Sequence, residues 1–305
     1  MYLNEDVNLT KEEIEKLISQ IKKTLGDFDQ IGKTSEYIKE LSNLAFLQLE
    51  AGQFKDSEIN LNICLKHFKN QRDRLGQASV YAILGILYFK RGYYQKSIEN
   101  YNIALDIYKE LNQIPEEIAC LKGIGINLIK LNNLDDACDR FIECSTICSD
   151  NNDIYNLLDC LGNLIYIHEN IGKWDVVYEL YIKSLEAFEK LRDNKGIITS
   201  YFNLGIIQKR KQDYEESIRY FKLGTNLAID TNYIELILKG LSYVGEILVY
   251  QGNLKEAKDQ YIKALNLAKR INAKNSIIQL KVLLKSLGLS DLQIEAEMKN
   301  SESKT

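Results

Sequence analysis

Residues 84–104 read LGILYFKRGYYQKSIENYNIA, and this stretch decides the fold. The spacing of its apolar residues predicts two short helices joined by a turn at Arg91–Gly92. The first helix carries the Leu84–Gly85 pair. The second helix alternates large and small side chains along one face, at helical spacing: Tyr94, Ser97, Tyr101 and Ala104. The stretch therefore predicts a helical hairpin in which small residues let the two backbones approach closely.

The same pattern occurs six times at a period of 40 residues, with no insertion between copies. A leucine-type residue recurs at Leu44, Leu84, Ile124, Leu164, Leu204 and Val244. The turn recurs at Gly52, Gly92, Asn132, Gly172, Gln212 and Gly252. A small or modest side chain on the second helix recurs at Ser57, Ser97, Ala137, Val177, Ser217 and Ala257. A fixed period of this length predicts stacked hairpins, because one hairpin cannot bury its apolar face alone.

The Leu-Gly pair, the turn glycine and the alternation of small and large residues resemble the tetratricopeptide repeat (TPR). The resemblance covers residues 36–271. The 40-residue period is similar to that of the TPRs of kinesin light chain, of the Pins/LGN adaptors and of Rap-type regulators. The resemblance implies an all-α fold, a right-handed α-solenoid of six TPR helical hairpins with N- and C-terminal capping helices.

The register divides the chain into an N-terminal capping helix (1–33), six repeats (34–271), a C-terminal capping helix (272–288) and a tail (289–305). The repeats are expected at about 36–75, 76–115, 116–155, 156–195, 196–235 and 236–271. First helices are predicted near 35–50, 74–90, 115–131, 154–171, 195–211 and 234–251. Second helices are predicted near 54–70, 94–111, 134–149, 174–191, 214–230 and 254–270.

Several residues predict where particular helices begin and end. Thr10 and Glu13 form a capping-box signature, and Gly26 is a candidate stop for the helix that follows. Pro115 suits the first turn of its helix. N-cap candidates for later helices are Asp153, Asp193 and Thr231. The capping helix over 275–287 is expected to face the last hairpin with Ile277, Ile278, Leu280, Val282, Leu283 and Leu287. A further short helix can begin at Ser290.

Composition excludes several classes of function. The net charge of −4 gives no reason to expect nucleic acid as a partner. No apolar run is long enough to predict a membrane span. Four of the six cysteines, Cys64, Cys120, Cys144 and Cys160, read as small buried hydrophobes in a reducing compartment, which predicts a cytoplasmic protein. With only two histidines and no CxxC pair, no metal site is expected.

No catalytic or cofactor motif emerges from the sequence. It lacks a phosphate-binding GxxxxGK[ST] loop, an HExxH zinc motif and a specific Ser-His-Asp set. Gly123-Ile-Gly125 lies within a predicted repeat helix, where glycine serves close packing. We therefore expect a protein that is not an enzyme and binds no cofactor.

The resemblance also implies where a partner binds, because in TPR proteins the binding surface comes mainly from first helices. Carried over by register, that rule selects Phe46, Leu49, Ile86, Phe89, Ile126, Ile129, Tyr166, Phe202, Ile206 and Lys209. In long-repeat relatives an asparagine before the leucine-type residue commonly holds the backbone of a bound peptide, and here it is matched by Asn43, Asn163 and Asn203. The other three copies carry Ile83, Gly123 and Tyr243 instead. The alternative is that these side chains pack between adjacent first helices.

These observations predict a non-catalytic adaptor or scaffold that binds a peptide or helical segment of another protein in the TPR groove. The alternative is a peptide-sensing regulator of Rap-like type. Self-association through a terminal hairpin is a further possibility.

Overall fold

The computed structural model describes residues 10–28 and 35–302, and these residues form helices joined by short turns. The N-terminal helix is α1 (Lys11–Phe28). First helices of successive hairpins are α2 (Ser35–Glu50), α4 (Arg74–Lys90), α6 (Ile114–Lys130), α8 (Ile154–Asn170), α10 (Asn194–Arg210), α12 (Ile234–Tyr250) and α14 (Lys274–Ser286). Second helices are α3 (Phe54–Asn70), α5 (Tyr94–Glu110), α7 (Leu134–Asp150), α9 (Trp174–Leu191), α11 (Tyr214–Asp230), α13 (Leu254–Arg270) and α15 (Asp291–Glu302).

The predicted all-α class of stacked helical hairpins is confirmed, and the twelve repeat helices begin and end within one residue of their predicted limits. The first helices begin about 40 residues apart, as the register requires. The reason for this accuracy is physical. Each copy repeats the same apolar spacing, so an ambiguous boundary in one hairpin is fixed by its clearer equivalents in the others.

Four of the repeat hairpins close where a glycine on the first helix meets a large ring on the second. A Cβ atom placed on Gly85 would lie 2.9 Å from the ring of Tyr101, and one on Gly205 would lie 2.7 Å from the ring of Phe221. Only glycine allows rings this close to the first helix. The small residues predicted on the second helices have no exposed surface at all: Ser57, Ser97, Ala137, Val177, Ser217 and Ala257.

Left-handed backbone conformations recur between the helices at a spacing of 20 residues. The predicted turn positions have positive φ angles, from 58° at Asn132 to 78° at Gly92. A second set, between one hairpin and the next, was not predicted: Arg72, Asn112, Asn152, Arg192, Asn232 and Asn272. Asparagine tolerates this conformation better than most residues, so the four asparagines in this set are the signal that sequence reasoning missed.

The chain forms two compact units, residues 1–156 and 157–305, and the division falls inside α8. In the first unit, Leu44 and Leu84 of successive repeats join a core that also includes Ile18 of α1. In the second unit, one core forms around Phe202 and Phe221 of α10 and α11, and another around Tyr261 of α13. The limits predicted for the repeats and the capping segments stay a prediction.

The capping box at the N-terminus is confirmed. The backbone amide of Thr10 donates to the Glu13 carboxylate at 2.7 Å, and the amide of Glu13 donates to the Thr10 hydroxyl at 3.3 Å. The Thr10 hydroxyl also donates to the Glu13 carboxylate, at 2.8 Å. The two hydrogen bonds that the carboxylate accepts lower its pKa, the one from the backbone most strongly. The predicted stop at Gly26 is wrong, because α1 continues to Phe28. A glycine that meets no neighbour is tolerated inside a helix at a modest cost.

Two of the three N-cap predictions are confirmed. Asp193 accepts hydrogen bonds from the amides of Lys195 and Gly196 at the start of α10, and Asp153 accepts one from the amide of Asn156. Thr231 was predicted wrongly, because it caps the C-terminus of α11. There its hydroxyl donates to the carbonyl of Leu227, four residues back along the helix.

The C-terminal capping helix and the short helix after it both form, as α14 and α15. The prediction for their buried face is only partly right. Leu280 and Leu284 are buried against α13 and α15, whereas Ile278 and Val282 are exposed to solvent. Much of the segment expected as a tail is therefore helix α15, in which Ile294 and Met298 are buried. Outside the described residues lie 1–9 and 29–34, with the start and the end of the predicted N-terminal segment, and 303–305.

No described helix combines the length with the apolar character that a membrane crossing requires.

Candidate functional site

A row of half-buried apolar side chains lies on the first helices of the first unit. We call it the apolar row, and its members are Phe46, Ile86, Phe89, Ile126 and Ile129. Helix α4 lies against both α2 and α6, so equivalent residues of the three helices follow one another along this face. On α4 and on α6 the two row residues are three positions apart and therefore share a side, whereas α2 contributes Phe46 alone. The row thus brings together five of the residues predicted from the sequence.

Leu49 and Asn43, which were also predicted on α2, differ from the row in opposite ways. Leu49 is fully buried in the core of the first unit, so it packs the hairpins and offers no surface to a partner. Asn43 is exposed, and its amide makes no hydrogen bond to any described residue. The Asn43 side chain is thus available both to donate and to accept.

Charged and aromatic groups border the apolar row. The ammonium group of Lys90 at the end of α4 lies 2.9 Å from the carboxylate of Glu50 at the end of α2. The Phe89 ring packs against the Tyr94 ring, with their centroids 5.9 Å apart. The polar border limits the row to a narrow strip along the first helices.

In the second unit, α10 and α12 are adjacent first helices. Asn203 and Ile206 of α10 are half-buried, and the Asn203 amide makes no hydrogen bond to any described residue. Phe202, also predicted as a binding residue, is buried between Phe221 and Tyr243, at centroid distances of 6.3 and 5.6 Å. Phe202 therefore packs the core of this unit, and Asn203 is the residue of the pair that a partner can reach.

Lys209 is held by a residue of the next first helix. Its ammonium group lies 2.6 Å from the carboxylate of Glu246 and 5.3 Å from the centre of the Tyr250 ring. The Tyr250 ring in turn stacks on Tyr214, with centroids 5.7 Å apart and an angle of 4° between the planes. Glu246 largely neutralises the charge of Lys209, so the part of α10 and α12 around Lys209 offers a partner a neutral, aromatic contact.

Sequence reasoning selected Lys209 but missed Tyr250. The other copies carry Glu50, Lys90, Lys130, Asn170 and Arg210 at the position of Tyr250. A tyrosine at a position otherwise held by charged and amide residues is the signal that could have found it. More than half of its surface is exposed.

The remaining predicted residues lie on α8, within the second unit. Asn163 is half-buried, and one N–H of its amide donates to the carbonyl of Asp159 at 2.9 Å, which leaves its oxygen and its second N–H for a partner. Tyr166 is 53% exposed. Nearby, the Tyr181 hydroxyl donates to the Glu169 carboxylate at 3.5 Å, and burial, with Glu169 beside it, raises the pKa of Tyr181 to about 12. Apolar surfaces and amides of this kind suit binding rather than bond-making chemistry.

Comparison with known proteins agrees with the helical-hairpin architecture. A family model described as "Tetratricopeptide repeat" matches residues 198–228, which span most of α10 and nearly all of α11. No curated protein sequence matches the chain.

Three solved structures are similar over most of this chain. The apo form of RapI is 16% identical, with a TM-score of 0.52, and the match covers 77% of this chain and 99% of RapI. Aspartyl phosphate phosphatase F from Bacillus subtilis is 13% identical, with a TM-score of 0.57, over 84% of this chain and 67% of that one. A signal transduction ATPase (STAND) protein with a tetratricopeptide repeat sensor, from Pyrococcus horikoshii, is 13% identical, with a TM-score of 0.58. That match covers 96% of this chain but 46% of the larger protein. At these identities the likeness concerns the fold.

Proposed function

We propose that this chain, which is a tetratricopeptide-repeat protein, works as a non-catalytic adaptor that binds a peptide or helical segment of another protein. TPR-type hairpins generally serve protein interaction, and the finer assignment of a binding surface is our inference. The observation that carries it is the apolar row, from Phe46 to Ile129. Its five side chains are neither buried like Leu49 nor dispersed singly over the surface.

The chemistry of the row favours a partner that presents an apolar edge. Accessible apolar side chains in a contiguous strip often mark an interaction site. An amphipathic helix or an extended peptide can lay apolar residues along such a strip, as in helix-in-groove recognition. The adjacent first helices of the unit would then provide successive contacts along the length of the bound segment.

The side-chain amides of the first helices supply a second kind of contact. Asn43 in the first unit and Asn203 in the second have both their donors and their acceptor unengaged. A side-chain amide that can donate and accept at once matches the paired groups of a peptide backbone. We therefore assign Asn43 and Asn203 to backbone recognition. Asn163 already uses one of its two N–H donors within its own helix, so its oxygen and its second N–H are the groups left for a partner.

The partner we propose is a protein, and neither nucleic acid nor a cofactor enters the proposal. The net charge of −4 opposes binding to a polyanion. We propose a cytoplasmic location, because five of the six cysteines are buried as thiols among the packed helices, as is common in proteins of a reducing compartment.

An affinity experiment tests the adaptor proposal. The full chain is used to capture partners from the native lysate, and each recovered protein is identified and then purified for direct binding. Phe89→Glu puts a charge into the apolar row, and Asn203→Ala removes an unengaged amide. We expect the first change to weaken binding at least tenfold, because a buried charge has no partner in an apolar contact.

Two matched control variants lie on the second helix of a hairpin already in the test. Ile103→Glu and Asn102→Ala make the same chemical changes at exposed positions of α5. A partner that is lost from Ile103→Glu, or that binds Phe89→Glu as tightly as wild type, contradicts the assignment of the first-helix face.

The second candidate is a peptide-sensing regulator, and the match that extends over 99% of the RapI chain is the observation that favours it. In that case a short peptide would bind the first-helix face and release a protein already bound elsewhere. Adding peptide fractions from the culture medium to the purified complex separates the two functions. If a peptide releases the partner from wild type and does not bind Phe89→Glu, the result supports a regulator. If the peptide and the partner compete for one site, so that no complex of chain, partner and peptide forms, the result supports the adaptor.

A further inference from the structure

Helix α15 departs from the pattern that the second helices of the repeats follow. The turns within the repeats have their positive φ angles 40 residues apart, up to Gly252, whereas the turn before α15 has its positive φ four residues early, at Gly288. When α15 is aligned with α13 by these turns, polar residues stand where α13 has its packing residues: Gln293 for Ala257, Glu297 for Tyr261 and Asn300 for Ala264. α15 therefore lacks the side chains that close a repeat hairpin.

Two buried side chains hold α15 in place. Among residues 291–301, only Ile294 and Met298 are buried, in a core shared with α13 and α14. The amide of Asn266 on α13 donates to the Ser301 hydroxyl at 2.5 Å, but its side-chain oxygen is buried without a hydrogen-bond partner. A buried acceptor without a donor is unfavourable, so α15 fits α13 incompletely. Release of such a helix by local unfolding requires less free energy than unfolding of the whole protein.

The helices against which α15 packs are strongly basic. Together α13 and α14 carry eight lysines and arginines against two acidic residues, whereas α15 carries four acidic residues against one lysine. Three ion pairs join α15 to these helices: Lys258–Glu297 at 2.5 Å, Lys285–Asp291 at 2.9 Å and Lys269–Glu295 at 3.9 Å. All three pairs are partly exposed to solvent, so each stabilises α15 only weakly. The charges therefore select an acidic helix at this place without holding α15 tightly.

We propose that the surface of α13 and α14 under α15 is a docking site for an acidic amphipathic helix of another protein, and that α15 occupies it as a displaceable internal ligand. Ile294 and Met298 are four residues apart and share one side of α15, as the apolar anchors of a helix bound in a groove do. We call the docking surface the basic dock, and define it by two buried leucines and three lysines: Leu280, Leu284, Lys258, Lys269 and Lys285.

The basic dock keeps a positive charge while α15 is bound. The three helices together have nine basic residues against six acidic ones. Five cations of α13 and α14 form no ion pair with a described residue: Lys255, Lys263, Arg270, Lys274 and Lys281. A surface of one sign attracts an acidic partner and accelerates its association. This proposal is independent of the partner assigned to the apolar row, which lies in the other unit.

A peptide with the sequence of residues 289–302, blocked at both ends and labelled with a fluorophore, is the first probe. In the full chain, Ile294→Ser/Met298→Ser removes both anchors and should release α15. We expect this serine variant to bind the peptide with a dissociation constant on the order of 10–100 μM. Wild type should bind it at least tenfold more weakly, because its own α15 competes at an effective concentration of ~1 mM. A circular dichroism spectrum checks that the variant keeps its other helices.

Charge reversal tests whether the peptide occupies the basic dock. Lys258→Glu, added to the serine variant, places two carboxylates opposite each other and should weaken peptide binding about fivefold. A peptide that carries Glu297→Lys should restore the affinity for this variant, because the pair is then re-formed with its signs exchanged. Lys66→Glu, at an exposed position of α3, is the matched control and should leave binding unchanged.

Two designed peptides separate a site for a partner from a contact that serves α15 alone. One has leucine at the two anchor positions and glutamate or alanine at every other position, and its counterpart has lysine in place of each glutamate. We expect the glutamate peptide to bind the serine variant at least as tightly as the α15 peptide does, because it can pair with more of the cations. The lysine peptide should not bind.

Displacement in wild type needs no substitution, so it decides the case even if the serine variant fails to fold. The chain is labelled with ¹⁵N and the α15 peptide is unlabelled, so that NMR detects only the chain's own α15. At about 1 mM peptide, close to the effective concentration of the tethered helix, roughly half of α15 should be released and its amides should exchange faster with solvent.

Four results would overturn the proposal. They are a folded serine variant that does not bind the α15 peptide, peptide binding that Lys258→Glu leaves unchanged, a glutamate peptide that fails to bind where the α15 peptide binds, and α15 amides in wild type that exchange no faster when the peptide is added.

Discussion

The hydroxyl of Ser97 donates a hydrogen bond of 2.7 Å to the backbone carbonyl of Gly85. It joins the second helix of a hairpin to the first at a point that water does not reach, because Ser97 has no exposed surface. The same bond recurs between equivalent residues of two other hairpins: Ser57 to Ala45 at 2.6 Å and Ser217 to Gly205 at 2.8 Å. The small residue of the repeat therefore gives close packing and, where it is serine, a cross-helix bond.

Ser97→Ala is expected to lower the free energy of unfolding by about 1 kcal/mol, the typical net contribution of a buried hydrogen bond. Alanine occupies the equivalent position at Ala137 and Ala257, so the change leaves no steric conflict. The measurement is the midpoint of urea unfolding. Ser286→Ala is the control, because that exposed hydroxyl bonds within its own helix and its loss should have little effect. Equal effects of the two changes would contradict the importance of the cross-helix bond.

The same substitution at two glycines is expected to have opposite effects. In Gly85→Ala the new Cβ would meet the Tyr101 ring at 2.9 Å, and the strain should cost about 1–3 kcal/mol. This exceeds the gain of roughly 1 kcal/mol in helix propensity. At Gly162, also on a first helix, no atom lies within 4 Å of the new Cβ, so Gly162→Ala should stabilise by up to about 1 kcal/mol.

Thermal unfolding of both variants gives the comparison directly. A stabilised Gly85→Ala would mean that the Tyr101 ring can move away without loss of packing.

The contrast between these glycines also explains how far the sequence could predict the structure. The position of a residue in the 40-residue register predicts which helix it belongs to and how buried it is on average. That information was enough to predict the hairpins and the burial of the small residues. It does not predict the neighbours of one particular copy. Phe202 was assigned to the binding surface by register, yet the large Tyr243 and Phe221 rings beside it place it in the core.

The candidate site shows the same division. Equivalent positions held apolar residues in three copies, and the structure brings five of them into one row. The pairing of Lys209 with Glu246 depends on side chains from two copies, which a search along one register position cannot find. Ile278 and Val282 are exposed, although their spacing is that of a buried face. The repeat pattern therefore predicts the helices well, but it predicts the side-chain contacts between neighbouring repeats poorly.

Asn127 is a polar residue at a position that is apolar in the other five copies: Leu47, Leu87, Ile167, Ile207 and Ile247. It is buried, its amide donates to the carbonyl of Gly123 at 2.7 Å, and its side-chain oxygen has no hydrogen-bond partner. A buried acceptor without a donor costs about 1–3 kcal/mol. Asn127→Leu is therefore expected to raise the free energy of unfolding by about that amount.

The reverse change in the preceding repeat is the matched control for Asn127→Leu. Leu87→Asn should destabilise, since it introduces the same orphaned group where leucine is fully buried. Urea unfolding measures both. If Asn127→Leu destabilised the protein as well, the asparagine oxygen would have to be satisfied in solution, for example by a buried water molecule.

Stability is expected to fall at alkaline pH, and Tyr88 supplies one part of that dependence. Its hydroxyl donates to the Glu58 carboxylate at 2.7 Å. Burial, followed by the bond to Glu58 and the charge of Glu58, raises the pKa of Tyr88 to about 12. An unfolded tyrosine loses its proton near pH 10. Because the folded pKa is the higher one, the contribution is complete below about pH 10 and is lost as the pH rises through about 12.

Two variants isolate the contribution of Tyr88 in urea unfolding measured as a function of pH. Tyr88→Phe has no proton to lose and should flatten the decline between about pH 10 and 12, but not abolish it, since burial also raises the pKa of Tyr108 and of Tyr261 to about 12. Glu58→Gln removes the charge and keeps the burial. It should lower the pKa of Tyr88 only part of the way to its ordinary value, because burial is the larger cause. If stability declined as steeply in Tyr88→Phe as in wild type, the ionisation of Tyr88 would make no contribution to the alkaline loss of stability, and the prediction would be wrong.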